Sequence, residues 1–269
     1  MVAPMDMRQA ADAINCLGSF CGRRDLFALT PAALERKIGQ PQADVMVLFG
    51  GSILSGGDLF AAGMRQGVAK RYVIVGGEGH TTQALRNEIG RTCPGMRTAG
   101  LSEADLFAGY LWRRYGLAAD ALERESTNCG NNIIYLLRLL TGLGLPCLSV
   151  IMIQDATMQA RMDAGLRKYA PQGCTPINYA AYAARVTVQD GCLAYETPIP
   201  GMWTMDRYVS LLLGEIPRLA DDAQGYGPRG KNYIAHVDIP SDVFAAHARL
   251  CRIFPGLIRQ ADARYATKE

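Results

Sequence analysis

Four short stretches of the chain concentrate side chains able to bind or react: GGSILSGGD (residues 50–58), GGEGHTT (76–82), ERESTNCGNN (123–132) and QDATMQAR (154–161). Gly50, Gly51, Gly76, Gly77 and Gly79 allow a backbone to approach a ligand closely or to adopt positive φ. The same glycines also suit ordinary strand-to-helix turns. Ser52 follows Gly51 without the G-x-S-x-G setting of an activated nucleophile. His80, Thr81 and Thr82 stand where a helix would start, so their amides and hydroxyls can receive an anion; equally, Thr81 can simply cap its own helix. Ser126, Thr127, Asn128 and Asn132 can hydrogen-bond a ribose or a carboxylate, and such residues are also common turn formers. Gln154 and Asp155 add a carboxamide and an acid, and Arg161 can pair with a ligand carboxylate or phosphate or lie on the surface.

Glu78, Glu103 and Glu123 are the candidate catalytic residues. Carboxylates gathered at one edge separate their pKa values and so divide acid from base; each taken alone also reads as a solvated or capping acid. The glycine stretches match neither G-x-G-x-x-G nor G-x-x-x-x-G-K-[ST], so a nicotinamide dehydrogenase or a P-loop enzyme loses its main support. The eight cysteines contain no C-x-x-C pair, the nearest spacing being Cys16 to Cys21, and the three histidines are dispersed. This pattern predicts a reduced, cytoplasmic chain with no metal site. Cys147, Cys192 and Cys251 sit within apolar patterns, where a thiol behaves as a small core residue.

The elements that must position these stretches follow from hydrophobic periodicity. Short continuous apolar runs at residues 43–52, ending in glycines, and at 71–75 and 148–153 suit strands buried on both faces of a parallel sheet, and shorter strands are expected at 119–123 and 175–179. Helical periods cover 7–22, 58–68, 81–89, 102–115, 131–141 and 158–169. The start at Ser102, with Glu103 and Asp105 in the first turn, is acid-rich as a helix N-terminus favours. Strand and helix alternate with short links, which predicts a doubly wound, mostly parallel α/β sheet with right-handed crossovers. Each of the four polar stretches follows a strand, and ligands of such sheets bind beyond the strands' carboxyl ends. After about residue 200 the alternation stops. Helical patterns at 203–213 and 241–265 flank a loop at 217–231, and the expectation is a core over 1–200 with a helical extension, 201–269, packed on it.

Hydrophobic residues make up 49% of the chain and charged residues 20%, enough for a packed core. The formal net charge is only +3 and Lys and Arg are scattered, which argues against a nucleic-acid partner. No apolar run approaches the roughly 20 residues of a membrane span. The polar residues Asp6, Arg8, Gln9 and Asp12 interrupt the N-terminus, unlike a secretory signal.

The succession GGS, GGEGHTT, SEA (102–104), LERESTNCGNN and VIMIQDATMQAR resembles the bacterial YdcF-like family, a domain of unknown function shared with SanA-like and ElyC-like envelope proteins. The resemblance is closest to the YdcF branch and continues through residues 201–240, so it spans nearly the whole chain. It implies a Rossmann-like α/β fold with a C-terminal helical part, a cytoplasmic protein, and binding of S-adenosylmethionine with no settled reaction. By motif it places site residues at Gly50, Gly51 and Ser52; at 76–82; at Glu103; at Glu123, Ser126, Asn128 and Asn132; and at Gln154, Asp155 and Arg161. Two positions depart from the broader family: Cys129 stands where many relatives have threonine, and Met158 where they have histidine.

Three functions compete on this reading. The first is a small-molecule binder or enzyme using S-adenosylmethionine or a related adenosyl ligand. The second is a hydrolase or transferase acting on a phosphorylated or nucleotide-like metabolite through Glu78, Glu103 or Glu123. The third is a non-catalytic interaction module. The charged, glycine-rich loop ADDAQGYGPRG (220–230) is expected either to fold over the strand-end pocket, bringing Arg218 or Arg229 to it, or to serve as an exposed connector.

Overall fold

Seven residues, ADVMVLF, bury every side chain as β1 (Ala43–Phe49), and the helices on either side of them supply the cover. The structure is a computed structural model that describes residues 4–258. In chain order, α1 (Pro4–Cys21) and the short α2 (Pro31–Ile38) precede β1. There follow α3 (Leu54–Gln66), β2 (Ala69–Val75), α4 (Thr82–Thr92), α5 (Glu103–Tyr115), β3 (Ala121–Glu123) and α6 (Cys129–Gly142). Next come β4 (Ser149–Ile153), α7 (Gln159–Tyr169) and β5 (Thr175–Asn178).

These five strands form one parallel sheet in the order β3-β2-β1-β4-β5, a Rossmann-like α/β arrangement. Alternate residues of each strand enter different cores. Val45, Val47, Phe49, Val73, Val75, Val150 and Met152 pack under α6 and α7 through Ile133, Leu136, Leu140, Met162 and Leu166. Met46, Leu48, Ile74, Ile151, Ile153 and Ile177 face the other way, toward α1, α3 and α5. From β1 the chain moves to β2 on one side, and from β4 to β5 on the other. The chain therefore leaves β1 and β4 in opposite directions, the switch point at which such sheets bind ligands.

Two elements lie outside the periodicity reading. One is α2, whose eight residues are capped by the Thr30 side chain. The other is an antiparallel hairpin, β6 (Val186–Gln189) with β7 (Cys192–Tyr195), joined by Asp190-Gly191 with positive φ at both residues. The hairpin packs on α1, as do α8 (Met205–Leu219) and α9 (Ser241–Ile253). The C-terminal extension thus rests on the N-terminal helix and, through Tyr208, Val209, Leu212 and Ile216, on the same core as α3 and α5. The expected helical region 241–265 breaks at Phe254, before a single 3-10 turn at Pro255–Leu257; its end at Tyr265 lies outside the described residues. Among the described residues, no helix is long and apolar enough to cross a membrane.

The helix expected at 203–213 continues to Leu219, past Pro217. A proline has no N–H to give the carbonyl four residues back, here that of Leu213. The imidazole of His247 on α9 supplies the missing donor, with Nε2 at 3.1 Å from the Leu213 oxygen. The two helices are therefore pinned where the proline would otherwise leave a carbonyl orphaned. His247→Ala is expected to lower unfolding free energy by about 1–3 kcal/mol in urea titrations. In a Pro217→Ala background, where the backbone N–H returns, the same substitution should cost less than half as much.

Candidate functional site

The strand-end loops are brought together by a glycine junction. Gly50 follows β1 and its N–H reaches the Val75 carbonyl at 2.6 Å, and Gly76 follows β2 and its N–H reaches the Glu123 carbonyl at 3.0 Å. The first turn of α5 lands on this edge: Glu103 N–H donates to Gly77 O at 2.9 Å and Ala104 N–H to Gly76 O at 2.8 Å. The Glu103 side chain then lies directly against both glycines. A Cβ on Gly76 would fall 2.9 Å from Gly50 Cα and 3.0 Å from Glu103 Cβ, and one on Gly50 would overlap the Glu103 carboxylate.

Glu103 is only 5% exposed. Its Oε1 accepts from Thr81 Oγ1 at 3.1 Å and Thr82 Oγ1 at 2.9 Å. The Gly51 N–H donates to the same carboxylate. Burial pushes its pKa up, and the bonds from Thr82, Thr81 and Gly51 oppose that rise without cancelling it. Both threonine hydroxyls are thus turned to Glu103, and α4 starts without a side-chain cap from Thr81.

Gly51 faces the second and fourth loops, and the third joins them through Met158; Gly51 adopts φ +81°, a conformation that favours glycine. A Cβ there would come 3.2 Å from Met158 Cε of the fourth loop and 3.5 Å from Thr81 Oγ1 of the second. Met158 Sδ lies 3.8 Å from Cys129 Sγ of the third. Gln154 Nε2 donates to the Gly50 carbonyl at 2.9 Å, which locks the first loop to the fourth. The second and third loops are locked by Gly77 N–H, which reaches Ser126 O at 2.9 Å and Ser126 Oγ at 3.3 Å. Gly79 lies against the Thr127 carbonyl, and its N–H donates to Thr82 Oγ1 at 2.8 Å.

Several of the expected binding residues are committed to the fold. Asp155 is 0% exposed and accepts from four donors. Thr157 N–H at 2.9 Å, Thr157 Oγ1 at 2.7 Å and Tyr182 OH at 2.8 Å bind its Oδ1, and Trp203 Nε1 at 2.8 Å binds its Oδ2. Burial raises its pKa despite these donors. Arg161 forms a two-pronged pair with Glu215 of α8 at 2.6 and 2.9 Å. Burial works against the guanidinium charge, but Cys129 and Glu215 outweigh it and the pKa rises. Asn128 caps α6 by accepting from Asn131 N–H at 3.0 Å, and Asn132 is buried one turn further on.

The three candidate acids occupy different surroundings and share no hydrogen bond. Glu78 is exposed and paired with Arg86 at 2.9 Å, beside the exposed His80. Glu123 is 8% exposed; its Oε1 accepts from Glu125 N–H at 2.5 Å and Ser126 N–H at 3.1 Å, while Oε2 is buried without a partner. Ser52 Oγ is likewise buried and unpartnered. Three helices, α3, α4 and α7, begin at these loops with no side-chain hydrogen bond at the N-cap, leaving their first amides to other acceptors.

The 220–230 loop begins beside this region, with Arg218 within 4.0 Å of Glu215. The loop folds on itself, with Gly227 N–H reaching Ala220 O at 3.2 Å and the exposed Arg229 3.4 Å from Asp221, and the segment after it runs along α7, where Ala235 N–H reaches Ala164 O at 3.0 Å. Cys129 and Met158, which line the convergence, were noted in the sequence only as departures from a family pattern. Glu215 carried no signal there, because its partner Arg161 lies 54 positions away. A surface cleft of about 690 Å³ lies elsewhere, between the end of α6 and Tyr169 and Pro171.

Fold and site geometry together define a Rossmann-like α/β protein whose strand-end loops converge at the switch between β1 and β4. No protein-family model matches the chain.

Gly50→Ala should destabilise the protein by at least about 1–3 kcal/mol, the cost of overpacking a site that cannot yield. Gly90→Ala, at a helical position with open space around it, should be neutral or stabilising. Because the folded-state pKa of Glu103 is raised, its contribution to stability falls as pH climbs from the ordinary carboxylate range through that raised value. Glu103→Gln is expected to flatten this fall in urea titrations run between acid and neutral pH.

Proposed function

We propose that the chain is a YdcF-like protein that binds a small adenosyl ligand, S-adenosylmethionine or a relative, in the crevice around Gly51. The observation that carries this reading is the meeting of four loops there, each from a different strand end, at the switch point of the sheet. An adenosyl ligand with an amino-acid tail asks for acceptors at its ribose hydroxyls, donors at its carboxylate, and apolar surface for its base. Glu123 offers the ribose an oxygen without a partner. The uncapped starts of α3, α4 and α7 offer amides to the carboxylate. Met158, beside Gly51, gives an apolar contact and a polarisable sulfur.

The unpartnered Glu123 oxygen also favours a second reading, in which Glu123 is the general base of a hydrolase or transferase acting on a nucleotide-like metabolite. Glu103 and Glu78 are weaker candidates for that role, one enclosed by donors and the other exposed and paired with Arg86.

Titration calorimetry with S-adenosylmethionine and S-adenosylhomocysteine should give saturable heats. Gly51→Val, which fills the space beside Met158 and opposes φ +81°, should abolish them. In Glu123→Gln the amide oxygen can keep both loop N–H groups while the free carboxylate oxygen is lost, so affinity should fall about tenfold, roughly 1.4 kcal/mol. Heats absent with both ligands, alongside product release from a nucleotide panel that Glu123→Gln stops, would replace the first reading with the second.

A further inference from the structure

The structure holds a pair of thiols remote from the strand-end crevice. Cys147, just before β4, and Cys174, just before β5, have their sulfurs 3.8 Å apart. They come from neighbouring parallel strands in register, Ser149 opposite Thr175, and the Thr175 N–H donates to Leu148 O at 2.8 Å. The backbone following Cys147 is fixed by Asp44, which accepts from Leu148 N–H at 3.0 Å and Ser149 N–H at 3.2 Å and is paired with Lys70 at 2.8 Å. The chain before Cys174 is a surface turn in which its N–H reaches Pro171 O at 3.1 Å. Cys147 also lines the open cleft of about 690 Å³, so a reagent of peptide size can reach it.

We propose that Cys147 and Cys174 form a redox-active dithiol, which small-molecule disulfides such as oxidised glutathione convert to an intrachain disulfide at the amino-terminal edge of the sheet. The sulfurs must close from 3.8 Å to about 2.05 Å, a movement that side-chain rotation and the surface turn before Cys174 supply.

The pair is asymmetric. Cys147 lines the open cleft, whereas Cys174 lies outside that lining, so Cys147 is the sulfur a disulfide reagent meets first and the attacking one. Its thiolate bonds to one sulfur of oxidised glutathione, the glutathione S–S bond breaks, and the departing glutathione takes up the proton Cys147 lost. Cys174 then gives up its proton and attacks the Cys147 sulfur, and a second glutathione leaves with that proton. Two protein thiols and one glutathione disulfide become one protein disulfide and two glutathione thiols. The bond spans 27 positions and encloses β4 and α7, the unit that carries the fourth loop of the crevice.

The test exposes the folded, reduced full-length chain to oxidised glutathione, traps remaining thiols by alkylation, and maps cysteines by peptide mass spectrometry. A Cys147–Cys174 peptide lacking two hydrogens, forming ahead of any other pairing and reversed by dithiothreitol, is the expected result. Cys174→Ser, with circular dichroism confirming its fold, should accumulate a glutathione adduct on Cys147, since nothing resolves it. Glutathione on the exposed Cys192 while Cys147 remains alkylated would overturn the proposal. So would a Cys147–Cys174 bond that forms only in urea.

Discussion

The carboxylate of Glu103, set beneath Gly50 and Gly76 and held by Thr81, Thr82 and the Gly51 amide, is the contact on which the carboxyl edge of the sheet depends. Two strand ends that carried side chains could not pass so close, and α5 could not place its first turn against them. The glycines are therefore as much a packing requirement as a provision for a ligand. Burying a carboxylate is costly unless its oxygens are satisfied. The donors that satisfy Glu103 come from the first and second loops, so its burial forces those loops into one arrangement.

The fourth loop is held by a second buried acid. Asp155 ties Thr157, Tyr182 and Trp203 together, so the loop that faces Gly51 is attached to the segment that leads into α8. The pair of Arg161 with Glu215 repeats the attachment one turn further along α7. A buried ion pair adds little net stability but is strongly destabilising to break on one side. Here it specifies where α8 sits relative to the crevice. The extension is thereby tied to the fourth loop and α7, and the burial of Tyr208 and Leu212 holds it on the core.

Much of this was legible in the chain, and the reason differs by element. The runs at 45–49 and 150–153 are apolar at every position because both faces are covered, and the alternation of strands with helices then yields the parallel sheet. The hairpin at 186–195 was missed although Asp190-Gly191 between VTVQ and CLAY is a strong turn signal, because both strands are short and only partly buried. The helix expected to stop at residue 213 runs on past Pro217, and the carbonyl that the proline leaves free is taken by His247, a contact distant in sequence. At the site, residue types located the four loops, and the parallel topology accounts for their convergence. The assignment of single residues was not readable: Thr81 and Thr82 bind Glu103, Asp155 binds Trp203, and Arg161 binds Glu215, all through partners distant in sequence.

What remains at the edge after these commitments is a small set of groups around Gly51, with Met158 and Cys129 on one side and the loop carrying Glu123 beyond them. The central claim is that the four loops act as one ligand site. Hydrogen–deuterium exchange in the presence and absence of S-adenosylhomocysteine tests it most directly. The account predicts slower exchange in peptides covering residues 50–58, 76–82, 123–132 and 154–161 together, with the cleft beside Tyr169 unchanged. Protection confined to one loop, or centred on that cleft, would contradict it.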